Sequence, residues 1–278
     1  MQKFRLELLL KVIGIGSASG LFFGNGSLFI ISDNSNMLYD YNMTTNRLEK
    51  IPLSAAAPLE NIIKKDKPDL EAIAVCHDEL YLFGSGSTNK RNSIYIIDVR
   101  TKQVKETIDA TDLYLGMQEF GETDAENFNI EAAVYNESTW YLFNRGNGPK
   151  GKNGVYTITG NIKDGSYQML YNDVKLPKIK GARASFTDAV KVGNKIYFLA
   201  AAEKSNSTYH DGEVAGTLLG SLNPETMKVE RTQVISTKNK FEGITLYKET
   251  AETIAFLLCE DADSDIQESD IYTLTINK

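Results

Sequence analysis

Five positions in the 278 residues form a set that could do chemistry: Ser19, Glu71, Glu131, Asp188 and Glu242. They recur roughly every 55 residues, and each stands immediately before a small residue, Gly20, Ala72, Ala132, Ala189 or Gly243. All five offer oxygen alone. Four carboxylates gathered at one place repel one another unless they are protonated, kept apart by water or neutralised by a cation. A hard cation is the simplest partner, because calcium is satisfied by about six to eight oxygens from carboxylates, carbonyls and water. Calcium, with magnesium as the alternative, is therefore the expected occupant of a site built from Ser19, Glu71, Glu131, Asp188 and Glu242. The competing expectation is that these groups accept backbone N–H bonds from neighbouring segments in a hydrated channel. Zinc fits poorly, because neither His77 nor His210 belongs to the set.

The elements that would position the set repeat with it. Five segments share the order polar residue, small residue, apolar strand, turn, aromatic-rich strand: ASGLFFGNGSLFIISD, DLEAIAVCHDELYLFGSG, NIEAAVYNESTWYLFNRG, FTDAVKVGNKIYFLAAAE and FEGITLYKETAETIAFLLCED. Each continues into a third strand (MLYDYN, SIYIIDV, GVYTIT, GTLLGSL, DIYTLTI). Only the first four continue into a fourth (RLEKIPL, QVKETID, YQMLYNDVKL, KVERTQVI). Four strands per unit and five units predict an all-β fold, a five-bladed β-propeller forming one domain over residues 1–278. The N-terminal FRLELLL is a strand without a blade. Supplying it as the outer strand of blade five closes the ring and removes an exposed edge, so Phe4–Leu10 is expected to pair with Ile271–Ile276. Helical periodicity is confined to about residues 55 to 64. The small residues follow from the geometry, since inner strands converge on the axis and large side chains there would collide with the next blade.

In a propeller, the start of the first strand and the end of the second meet at one face. Asp33, Ser85, Ser87, Lys90, Arg91, Arg145, Lys204, Glu260 and Asp261 are expected there. Among them Arg145, Ser85, Lys90 and Arg91 are candidates for binding a ligand. The planar guanidinium of Arg145 could orient a phosphate or carboxylate, its alternative role being an ion pair with a ring carboxylate. The run GSGSTNKRN lacks the strand–loop–helix setting of a phosphate-binding loop. The acidic EDADSDIQESD lacks the central glycine and terminal glutamate of an EF-hand.

A net charge of −7 and the absence of a dense Lys/Arg cluster argue against nucleic-acid binding. Cys76 and Cys259 lie in apolar runs with no CxxC partner and are expected as buried free thiols. No run of about eighteen apolar residues predicts a membrane helix. Glu7 and Lys11 interrupt what would otherwise read as the apolar core of a secretory leader, which favours the cytoplasm, and a monomer is expected.

The units DLEAIAVCHDELYLFGSGSTNKRNSIYII and NIEAAVYNESTWYLFNRGN resemble the inner strands of bacterial phytase-like (esterase-like phytase) propellers. The ring order Ser, Glu, Glu, Asp, Glu is similar to the calcium ring of the five-bladed calcium-activated nucleotidases (apyrases). That resemblance implies that Ser19, Glu71, Glu131 and Glu242 are calcium ligands. Asp188 departs from it, standing where that family has a hydroxyl residue. The implied activity is calcium-dependent hydrolysis of phosphoester or phosphoanhydride bonds at the top of the channel. The alternative is a non-catalytic propeller with a structural cation, binding a small anionic molecule or a protein.

Overall fold

The structure is a computed structural model, described here for residues 3–55, 58–146, 151–204, 212–261 and 267–278. It begins with β1 (Phe4–Ile13), which belongs to the last blade. Blade one is β2 (Ala18–Gly24), β3 (Ser27–Ser32), β4 (Met37–Asn42) and β5 (Arg47–Pro52). Blade two is β6 (Leu70–Cys76), β7 (Glu79–Gly84), β8 (Ser93–Asp98) and β9 (Val104–Asp109), followed by helix α1 (Thr111–Phe120). Blade three is β10 (Ile130–Asn136), β11 (Thr139–Asn144), β12 (Gly154–Asn161) and β13 (Ser166–Asp173). Blade four is the short β14 (Lys178–Ile179) with β15 (Ala182–Val192), β16 (Lys195–Glu203), β17 (Val214–Asn223) and β18 (Lys228–Ser236). Blade five is β19 (Phe241–Glu249), β20 (Thr253–Glu260) and β21 (Glu268–Asn277), completed by β1.

All blades are antiparallel, and the inner strands touch in the cyclic order β2, β6, β10, β15, β19 and back to β2. This is a five-bladed propeller. The sequence pattern of each strand follows from its place in the blade. Second strands such as β7 (ELYLFG) and β11 (TWYLFN) have strands on both edges and blades on both faces, so they are apolar and buried almost throughout. The outer β9 (VKETID) has one wet face and a free edge, and Lys105 and Glu106 are exposed on it. The β2–β3 hairpin turns on Asn25–Gly26, both at positive φ, as a two-residue turn of this hand requires.

The expected closure is present: β1 pairs with β21 in the register Phe4↔Ile276 through Leu10↔Ile271, with a bulge between Leu8 and Leu10. The requirement for small residues near the axis is equally direct. A Cβ on Gly243 would lie 2.6 Å from Cys259 Sγ and 3.2 Å from the Cα of Gly20 on the next blade. Cys76 and Cys259 are buried free thiols.

One expectation is corrected. No helix forms over the described residues 58–64, because backbone groups there are drawn into blade one. The Leu59 carbonyl accepts from Asn36 N, and Ile62 N donates to the Asn34 carbonyl. Among the described residues the α-helix is α1 instead, and it buries Leu113, Tyr114 and Met117 against Phe83, Phe128 and Tyr156 between blades two and three.

Candidate functional site

Each inner strand carries a register irregularity towards the same end of its pairing with the second strand, and the residue skipped is Ser19, Glu71, Glu131, Thr187 or Glu242; β19 has a further one between Leu246 and Lys248. A bulge at the start of a strand re-aims the skipped side chain. This common device sets the ring. It also corrects the assignment in blade four, where the equivalent of the other four is Thr187. Asp188 sits one residue on, at the place of Gly20, Ala72, Ala132 and Gly243. There its Oδ1 accepts Ala189 N at 2.7 Å and its Oδ2 accepts Ile244 N at 2.6 Å, stapling blade four to blade five. The two hydroxyls do similar work: Ser19 Oγ donates to the Leu70 carbonyl, and Thr187 Oγ1 donates to the Phe241 carbonyl at 2.8 Å.

The three glutamates of the ring stand among charged and polar residues that the ring pattern did not single out. Asp69, Asn129 and Lys240 each lie two residues before a ring glutamate, and Asp33, Ser85, Arg145, Glu203 and Asp261 lie at the ends of the second strands. Two clusters result.

In the first, Lys67 Nζ bridges Asp33 Oδ2 and Asp69 Oδ1. Arg91 pairs with Asp69 Oδ2 at 2.7 Å and donates to Ser87 Oγ at 2.7 Å, while Ser85 Oγ donates to the same Asp69 oxygen. Glu71 lies alongside, with an oxygen within 4.8 Å of one from Asp33 and one from Asp69.

In the second, Arg145 donates to Glu131 Oε1 at 3.2 Å and to Glu203 Oε2 at 3.1 Å, and lies 4.0 Å from Glu242. Asn129 Nδ2 donates to Glu131 Oε1 at 2.6 Å. Lys240 pairs with Glu242 at 3.0 Å and approaches Glu203 and Asp261 at 3.5 and 3.8 Å.

Of the four ligand-binding candidates, the structure brings Ser85, Arg91 and Arg145 into these clusters and leaves Lys90 outside, largely exposed and paired with Asp66. Lys204 likewise points away, paired with Glu213, and Glu203 takes its expected place. His77 lies in the β6–β7 turn, at the end of β6 opposite Glu71, against Tyr135. His210 and residues 262–266 of the acidic stretch lie outside the described residues.

The ring does not fit an all-oxygen calcium cage. Ammonium and guanidinium groups of the chain itself already stand among its carboxylates, and Asp188 spends both oxygens on backbone N–H groups. A divalent ion would have to enter against Arg145 and Lys240.

The family model described as "Family of unknown function (DUF6929)" matches residues 14–276. The chain belongs to DUF6929. No curated protein matches it. Among solved structures, the DUF6929 chain is similar to glutaminyl cyclase of Myxococcus xanthus at a TM-score of 0.55 and 11% identity, covering 98% of this chain and 97% of that one. It is similar to α-L-arabinanase of Cellvibrio cellulosa at 0.52 and 11% identity, covering 93% and 91%. A luciferin-regenerating enzyme follows at 0.50 and 7%, covering 98% and 95%. At such identities the likeness is one of fold. Neither the family match nor these structures bear out the phytase-like or nucleotidase resemblance.

Electrostatics separate the acids of the DUF6929 mouth. Burial pushes the carboxyl of Glu131, only 3% exposed, up to about 7 against the opposing pull of Arg145. Burial, reinforced by the charges of Asp69, Glu131 and Asp33, holds Glu71 well above the glutamate range. Asp69 is the opposite case: burial works against its charge, but Lys67 and Arg91 outweigh it and hold the group below the usual range. Arg145 is the keystone of the second cluster. Replacing it with Met is expected to cost about 3–5 kcal/mol in urea unfolding, since it strands Glu131 and Glu203 without their shared cation.

Proposed function

We propose that this DUF6929 propeller is an enzyme working by general acid–base catalysis at the top of its channel. Glu131 is the proton-transfer group, Glu71 is the protonated partner and Arg145 is the positioning residue. The observation that carries the reading is Glu131 itself: a buried carboxyl, fixed by Arg145 and Asn129, with its pKa raised to about 7. Proton transfer is most efficient when the catalytic pKa lies near the working pH, and two carboxyls of different acidity on adjacent inner strands supply a base and an acid together. Arg145 holds Glu131 in one orientation and offers positive charge beside it, where negative charge develops on a carbonyl or leaving oxygen. The reaction class is hydrolysis or internal group transfer at an amide, ester or glycosidic bond. The names of the neighbouring folds, a cyclase and an arabinanase, both fall in this range but share the fold alone with this chain.

The test is a panel of chromogenic amides, esters and glycosides together with glutaminyl peptides, assayed with wild type and Glu131→Gln. Turnover of one class, with kcat/KM rising through about pH 7 as Glu131 ionises and falling at higher pH as Glu71 loses its proton, supports the reading. Turnover equal in the variant would refute it.

A further inference from the structure

Away from the mouth, in blades one to four, a row of three residues on the second, third and fourth strands faces the next blade. In blade one the row is Phe29, Asp40 and Glu49, and in blade two it is Tyr81, Ile96 and Glu106. The next blade answers with a side chain from the turn between its third and fourth strands. Lys102 of blade two pairs with Asp40 at 2.6 Å and with Glu49 at 2.5 Å. Lys163 of blade three lies 5.6 Å above the Tyr81 ring and 3.3 Å from Glu106. In blade three the row is Tyr141, Thr157 and Leu170, and it meets the thioether of Met227 from blade four, 3.9 Å from Thr157 Oγ1. A row that ends in an acid meets a cation, and one that ends in leucine meets an apolar side chain.

Blade four departs from this pattern on both sides of its boundary with blade five. Its row is Tyr197, Ser221 and Arg231, so a cation stands where blades one and two carry Glu49 and Glu106. Blade five has no matching turn, because its third and fourth strands are β21 and β1, and β1 precedes every other strand in the chain. Between the two blades lies a cavity of about 200 Å³. Tyr197, Leu219 and Ile235 of blade four and Ile276 of blade five give it apolar walls, and the last three are buried. Its charged lining is Lys195, Glu230, Arg231 and Lys278. Lys195 pairs with Glu230 at 2.8 Å and Lys278 with Glu249 at 2.8 Å, so these groups together sum to one positive charge in a chain of net charge −7.

We propose that the cleft between blades four and five is a binding site for a small carboxylate with an apolar body. The body lies against Tyr197 and Leu219, where the other boundaries seat a side chain of the next blade, and the carboxylate meets Arg231 and Lys195. The volume suits a single ring, since an apolar cavity of about 150 Å³ takes up benzene. A guanidinium at the end of the row selects a planar carboxylate, which it can hold by two parallel hydrogen bonds. The excess positive charge excludes amines, the groups that the lysines of blades two and three present at the acidic rows. This site is independent of the acid–base reading of the mouth.

Isothermal titration calorimetry on the whole chain tests this with sodium hydrocinnamate, its neutral amide hydrocinnamamide and phenylpropylammonium chloride as probes. Hydrocinnamate is expected to bind wild type at one site, the amide at least about tenfold more weakly, and the amine more weakly still. Arg231→Glu gives the row of blade four the charge of rows one and two, and should weaken hydrocinnamate by about tenfold or more while strengthening the amine. Ser221→Leu, which fills the cavity from β17, should weaken all three probes. Lys90→Gln, at an exposed lysine paired with Asp66, should leave binding unchanged. If Ser221→Leu does not fold, Arg231→Glu carries the test, since Arg231 lies exposed on an outer strand. Absence of hydrocinnamate binding, equal binding of the acid and its amide, or hydrocinnamate affinity unchanged in Arg231→Glu would each overturn the proposal.

Discussion

Glu131→Gln is expected to lower turnover by about 10²–10⁴-fold on whichever substrate class the enzyme accepts, with KM little changed. Glutamine keeps the shape of the side chain and can still accept from Asn129 and Arg145, so the ring holds while the proton-transfer group is lost. Arg145 retains Glu203, so its charge stays paired. Stability against pH separates this from a structural effect. In wild type the carboxyl of Glu131 is raised from the ordinary range to about 7, so the folded state holds a proton that the unfolded chain releases. Its contribution to stability is full below the ordinary glutamate pKa and is lost as pH rises through about 7. Urea unfolding at pH 5 and pH 8 should show that decline in wild type and a shallower one in the variant. A variant with wild-type turnover would reject Glu131 as the catalytic group.

Deleting Phe4–Ile13 is expected to abolish cooperative folding. The strand supplies nine register pairs to β21 and buries Val12 in the core of blades one and five. Without it the whole edge of β21 is unpaired, and Ile271 and Ile276 lose their cover. The ring is closed by contact between β19 and β2, so damage to blade five loosens both of its neighbours. Circular dichroism on heating should show a broad, low transition and light scattering should rise. A truncated chain that melts as sharply and as high as wild type would show that β1 is dispensable to closure.

The propeller was readable because its signal is redundant: the polar–small–apolar unit recurs in every blade, and the count of third and fourth strands revealed that β1 must close blade five. The ring was readable in four blades and displaced by one residue in the fourth. There Thr187 and Asp188 are adjacent and polar, and Ala189 offers a small residue in the familiar place. Only the register of β15 against β16 shows which residue is skipped. The neutralising groups were the larger omission. Lys67, Asp69 and Lys240 stand four or two residues before ring glutamates, so a signal was present in the sequence. Their pairing was not, because it depends on which blades face each other across the mouth: Arg145 of blade three meets Glu203 of blade four and Glu242 of blade five. Sequence spacing specifies what each blade presents; the closed ring decides what neutralises it. The helix misplaced at residues 55–64 has the same origin, since its backbone is claimed by long-range bonds to Asn34 and Asn36.

The central claim is that the fold holds Glu131 poised between its two protonation states near neutral pH. Carbon-13 NMR of the glutamate side-chain carboxyls, with the Glu131 signal assigned by its loss in Glu131→Gln, measures this directly. The account predicts a titration midpoint near pH 7 for that signal, and a higher one in Arg145→Met, where the cation opposing burial is gone. A Glu131 carboxyl that titrates in the ordinary glutamate range would contradict it.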